Sequence, residues 1–106
     1  MGGPLSGILS IVGHNVTISF KYPDEQNRRK FNGKLSAKAE KDFQDINVTV
    51  VETAQKAAKG HTAFTVTVGP SSIEVALNDD EVEVSSAAFV TDAQYEHSGE
   101  GDWNVK

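Results

Sequence analysis

Among its 106 residues the chain has no cysteine, which excludes disulfides and thiolate metal ligands and leaves a small domain to be held by its core alone. Long apolar runs are missing too. The segment Ile8-Leu9-Ser10-Ile11-Val12 is far shorter than the ~20 residues of a membrane-spanning helix, and no positive n-region precedes it. Catalytic signatures are equally scarce. There is no Gly-x-Ser-x-Gly elbow and no phosphate-cradling Gly-x-x-x-x-Gly-Lys loop, and His14, His61 and His97 stand at no metal-binding spacing. These absences lead us to expect no catalysis, cofactor, metal, small-molecule substrate or membrane anchor, in a protein of the cytoplasm or a virion.

Charge is present but unevenly spread. Residues 1–59 hold nine Lys and Arg against six Asp and Glu, a net +3, whereas residues 60–106 hold one against nine, a net −8. Charge asymmetry of this kind steers encounters with other macromolecules and says little about fold. A short, cysteine-free, charge-polarised chain resembles in general style the accessory proteins of viruses and phages.

Alternation is the main structural signal. Val16, Ile18, Phe20 and Tyr22 fall on one side of an extended segment, and the same period recurs at Ile46-Val48-Val50, Phe64-Val66-Val68, Ile73-Val75-Leu77 and Val82-Val84. Leu5 to Val12 and Ala87 to Thr91 supply a sixth and a seventh strand. Gly13-His14-Asn15, Gly69-Pro70-Ser71-Ser72 and Asn78-Asp79-Asp80 are turn sequences, too short for parallel crossovers. Leu35, Ala39, Phe43 and Ile46 recur at three- to four-residue spacing, which favours a short helix over 35–45, although Leu35, Ala37 and Ala39 also alternate as in a strand. Thr53 to Gly60 reads as a helical turn or a wide loop. The expected fold is therefore mainly β: a small antiparallel β-sandwich or barrel of six to seven strands with one short helix, with α+β as the alternative. Its single domain runs over residues 5–91. Residues 92–106, rich in glycine and acid, are expected to form a flexible tail. The likeness of Asn15-Val16-Thr17-Ile18 to Asn47-Val48-Thr49-Val50 is read as chance.

The candidate contact residues follow from charge and from one aromatic. Arg28, Arg29 and Lys30 are followed by Lys34, Lys38 and Lys41, which would share a face of a helix starting near Leu35. Glu40 and Asp42, the overall acidity and the lack of an aromatic platform speak against nucleic acid. Asp79, Asp80, Glu81 and Glu83 form the densest acidic group and read as a solvated hairpin tip, because a calcium loop needs a bend glycine and a distal glutamate that are absent. Trp103, the one Trp, is expected to anchor a contact in a pocket of its own domain or of a partner. Together these residues suggest a non-enzymatic protein-binding or assembly module that meets a protein partner or its own copies. The alternative is a small acidic inhibitor or adaptor that occupies a basic surface of another protein.

Overall fold

The computed structural model describes residues 4–53, 58–69, 71–78, 81–86 and 94–105. In these residues there are eight strands and no helix: β1 (Leu5–Val12), β2 (Asn15–Phe20), β3 (Arg29–Leu35), β4 (Phe43–Glu52), β5 (His61–Val68), β6 (Ile73–Leu77), β7 (Val82–Ser86) and β8 (Tyr95–Val105). All pair antiparallel and close into a barrel in the order β1-β2-β3-β8-β5-β6-β7-β4. The expectation of six or seven strands with a helix is thus corrected to eight strands in a closed barrel. The expected strand at 87–91 and residues 54–57 of the expected helical turn at 53–60 lie outside the described residues.

Apart from the bulge in β4, inward side chains keep the two-residue period. Leu9, Ile11, Val16, Ile18, Phe20, Phe31, Val50, Val66, Ile73 and Val75 are all buried in the barrel interior. Outside, the strands carry mostly Ser, Thr, Asn and charged residues, and among the described residues the exposed large hydrophobics are Ile8, Val12 and Val51, scattered rather than gathered in the apolar outer band of a membrane barrel.

Residues 35–45 are not helical because a β-bulge imitates helical spacing. Leu9 pairs with Ile46 and Ile11 with Phe43, so Gln44 and Asp45 together oppose Ser10. The extra residue puts Phe43 and Ile46, three apart, on the same inner side. Asp45 takes the left-handed conformation (φ 54°), and its N–H donates to Ser10 Oγ at 3.0 Å. Between β3 and β4 the chain passes over the β1–β2 turn, where the Ala39 N–H bonds the Gly13 carbonyl at 2.9 Å and the Gly13 N–H bonds Asp42 Oδ1 at 2.9 Å.

The expected acidic tail is likewise corrected over Tyr95–Val105, which is β8, wedged between β3 and β5. Its inward positions are Tyr95, His97, Gly99, Gly101 and Trp103. Across the seam Gly33 pairs with Gly101, and the edges of Phe31 and Phe64 occupy the space that a side chain at Gly33 would need, 2.6 Å from each ring. Two aromatic rings therefore fill a seam lined by glycine.

The strand order hides a repeat. Strands β4-β1-β2-β3 form one Greek key and β8-β5-β6-β7 a second with the same order, joined at β3·β8 and at β7·β4. Advancing every strand by four reproduces the barrel, so a half-turn about its axis exchanges the two halves. The echo of Asn15 to Ile18 in Asn47 to Val50 falls on β2 and β4, which this half-turn does not exchange.

Candidate functional site

The half-turn equates hairpin β2–β3 with hairpin β6–β7, on opposite sides of the barrel, yet their outer faces carry opposite charge. Outward on β2–β3 stand Asn15, Thr17, Ser19, Lys30, Asn32 and Lys34, with Arg28 just before β3 donating from Nε to Ser19 Oγ at 2.8 Å. There is no outward carboxylate on β1, β2 or β3. Outward on β6–β7 stand Glu74, Ala76, Glu83 and Ser85, with Glu81 in the preceding turn. Neither Lys nor Arg stands on the outer face of β5, β6 or β7. The molecule measures 38 × 25 × 22 Å, so the two faces are separated by more than twice the Debye length of about 8 Å at physiological salt. Each face therefore presents its own field, and the basic one is bordered on β8 by Glu100 and Asp102, in register with Lys34 and Asn32.

The acidic side is dished. Glu74, Glu83 and Glu96 surround half-buried Thr65, Ala76 and Ser85 in a depression of about 420 Å³. Small side chains make its floor, and Val51, an exposed apolar residue of β4, lies at its margin. Thr67 Oγ1 donates to Glu96 Oε2 at 3.3 Å, whereas Glu74 and Glu83 have no ion-pair partner among the described residues.

The sequence-derived contact residues divide accordingly. Arg28, Lys30 and Lys34 come together on one outer face. Arg29 does not join them: it turns to the barrel end, where it pairs with Glu25 at 3.0 Å, donates to the Ala58 carbonyl at 2.9 Å and lies 5.1 Å from the Tyr22 ring centroid. Beside it the Tyr22 hydroxyl donates to Glu52, and burial, reinforced by that bond, pushes the phenol well above its ordinary pKa. Arg29 therefore holds the lid of the core. Lys38 and Lys41 are exposed in the β3–β4 connection, on no helix, and Lys41 stands over Phe43 with Nζ 5.9 Å from the ring centroid. Glu81 and Glu83 are exposed around the start of β7, while Asp79 and Asp80 lie outside the described residues.

Trp103 docks in its own domain rather than standing on the surface. Only 7% exposed, it packs inside the barrel on Phe20 and Phe31, with ring centroids 5.6 and 5.2 Å away, and its indole N–H donates to Asn78 Oδ1 at 2.9 Å. Asn78, held at φ 51° in the β6–β7 turn, donates in turn from Nδ2 to the Lys59 carbonyl at 3.1 Å. The chain's one indole thus ties β8 to two loops. At the opposite end Tyr95 has a matching role, donating from its hydroxyl to the Lys41 carbonyl at 2.9 Å; burial, with Glu40 and Asp42 near, pushes its pKa up to about 12.

One ionic group was not foreseen. His61 and its neighbours on β8 form an exposed clamp, Nε2 to Glu100 Oε1 and Nδ1 to Asp102 Oδ1, both at 2.9 Å, and the imidazole is 58% exposed. The sequence held the clue in the alternation of Glu100 and Asp102 opposite a strand start. The hydrogen bond to Glu100, then that to Asp102, holds the imidazole above its ordinary value of 6.5. Because the folded value is raised, the clamp favours the fold most below the unfolded value and fades as pH rises through the folded one. Titration followed by proton NMR should give His61 a value above the ordinary one for imidazole. Replacing Glu100 by Gln and Asp102 by Asn together should return it to the ordinary range, and no movement would show that the two carboxylates do not hold the ring.

Among the described residues no three or more His, Asp and Glu side chains gather in a metal-holding group, and no helix is long and apolar enough to cross a membrane. Comparison of the chain with protein-family models, with curated proteins and with solved structures gives no match. The functional argument therefore rests on the barrel's own surface.

Proposed function

We propose that this protein is a non-enzymatic binding or assembly module that meets a protein partner through its charge-polarised barrel. The observation that carries the reading is the inversion of charge between equivalent hairpins: Lys30 and Lys34 with Arg28 on one side, Glu74 and Glu83 on the other. Evenly mixed charges would leave the surface solvated without directing an encounter, whereas single-sign faces steer association and reject like-charged partners. The adaptor reading also has support, since the depression ringed by Glu74, Glu83 and Glu96 suits a basic surface of another protein.

Two charge-reversed forms test the module. In Lys30→Glu/Lys34→Glu and in Glu74→Lys/Glu83→Lys the substituted side chains are outward, so the fold should persist. Affinity capture and sedimentation with the intact chain should show a salt-weakened association, with itself or with a captured protein, that at least one reversal abolishes. Association insensitive to salt and to both reversals, or none at all, would rule the proposal out.

A further inference from the structure

Building on that reading, we infer that the partner is a second copy of this chain, docked head to tail: the β2–β3 face of one molecule seats on the acidic depression of the next. Charge and position on the page point to this occupant. The basic face offers Arg28, Lys30 and Lys34, with Glu100 and Asp102 of β8 at its border in register with Lys34 and Asn32 and both bound to His61; the acidic face offers three carboxylates and no Lys or Arg. Both kinds of face occur on every molecule, so each copy carries the complement of its neighbour. Like meeting like is disfavoured, since two acidic faces or two basic faces repel. An isologous contact through either face is thereby disfavoured, and a heterologous one is favoured.

Shape agrees with charge. Lys30 and Lys34 have long stems, and a floor of Thr65, Ala76 and Ser85 gives those stems surface to cover while the ammonium groups reach Glu74, Glu83 and Glu96. The faces are related by a half-turn about the barrel axis and so look in opposite directions. A contact that joins opposite sides of a body does not consume both faces in a dimer; it leaves one of each free at the ends and propagates. The product is a linear series of barrels rather than a closed pair. Because the contact is made of exposed ion pairs, it is weak and strongly dependent on salt.

Sedimentation at rising concentration supplies the test. At low salt the wild-type chain should form a continuing series of species, and raising salt from about 0.03 to 0.3 M should weaken each step on the order of tenfold as the Debye length shortens. The two reversed forms give the sharper result. Lys30→Glu/Lys34→Glu has two acidic faces and Glu74→Lys/Glu83→Lys two basic ones, so each alone should be monomeric. Mixed in equal amounts they should associate again, alternating along the series. The milder Lys30→Gln/Lys34→Gln should also weaken self-association, and thermal melts of all forms confirm that the barrel is intact.

Several outcomes would overturn the inference: a wild-type chain that stays monomeric at low salt, growth that stops at a dimer, or folded reversed forms that fail to restore association when mixed. A monomer that nevertheless captures another protein through Lys30 and Lys34 or through Glu74 and Glu83 defeats head-to-tail docking and leaves the binding module standing. A monomer with no such capture defeats both.

Discussion

Gly99→Ala should cost the barrel about 3 kcal/mol or more and lower its melting temperature by roughly 10 °C or more. A Cβ at this position would come within 1.9 Å of the Lys34 carbonyl oxygen and 2.9 Å of the Leu35 Cα, both backbone atoms of the paired strand. No rotamer relieves such a clash, so β3 and β8 must separate. Gly101→Ala meets a similar wall, 2.4 Å from the Asn32 carbonyl oxygen and 2.5 Å from the Gly33 Cα. The control is Gly69→Ala, whose new methyl would find its nearest neighbour, the Ser72 carbonyl oxygen, at 3.8 Å and should change stability by less than ~1 kcal/mol. Denaturant melts of the three variants decide the matter. If Gly99→Ala melts with the wild type, the close β3·β8 approach is wrong.

Trp103→Ala should be about as damaging, with an expected loss of ~3–5 kcal/mol. The substitution empties a site between Phe20 and Phe31 and leaves Asn78 Oδ1 without its donor. Trp103→Phe keeps most of the volume and loses the hydrogen bond, so it should cost less, on the order of 1–2 kcal/mol. Since Trp103 is the sole indole, its emission reports directly: blue-shifted and shielded from iodide in the folded wild type, red-shifted on unfolding. A native protein whose emission is already that of free indole and fully quenchable would contradict the buried placement, as would a Trp103→Ala variant of unchanged stability.

Where strands declared themselves, they did so through apolar inward positions. Val16, Ile18 and Phe20 or Phe64, Val66 and Val68 alternate plainly because every second residue is a large hydrophobe facing the core. β3 and β8 escaped notice for the opposite reason. Their inward positions include Gly33, Gly99 and Gly101, which register as nothing on a hydrophobic scale, and their outward positions are charged, so β3 resembled a basic loop and β8 an acidic tail. The space those glycines leave is filled by Phe31 and Phe64 from neighbouring positions, a relation that only pairing reveals. Alternation persisted in β8 as Glu96, Ser98, Glu100 and Asp102 on one side, carried by polar residues alone. The helix expected at 35–45 failed through the bulge at Asp45, which shifts strand spacing from two to three. For the contact surface, charge was legible and grouping was not: the run from Arg28 to Lys41 is contiguous in sequence, but strand pleat sends Arg29 to the barrel end and Lys30 and Lys34 outward.

The double Greek key also sets an order of events. Within each half, β1 to β3 and β5 to β7 pair through near neighbours in the chain, but β3·β8 and β7·β4 join segments from distant parts of it. Loop-closure entropy delays such contacts, so the halves should take shape first and the two seams last, giving the millisecond-to-second folding of non-local β topologies. Until they zip, each half has two bare backbone edges that fit the edges of the other half, in the same molecule or in another. Refolding in dilute solution favours the intramolecular choice; crowded refolding lets halves from different chains close on each other, giving pairs whose exchange requires unfolding and which salt does not dissolve.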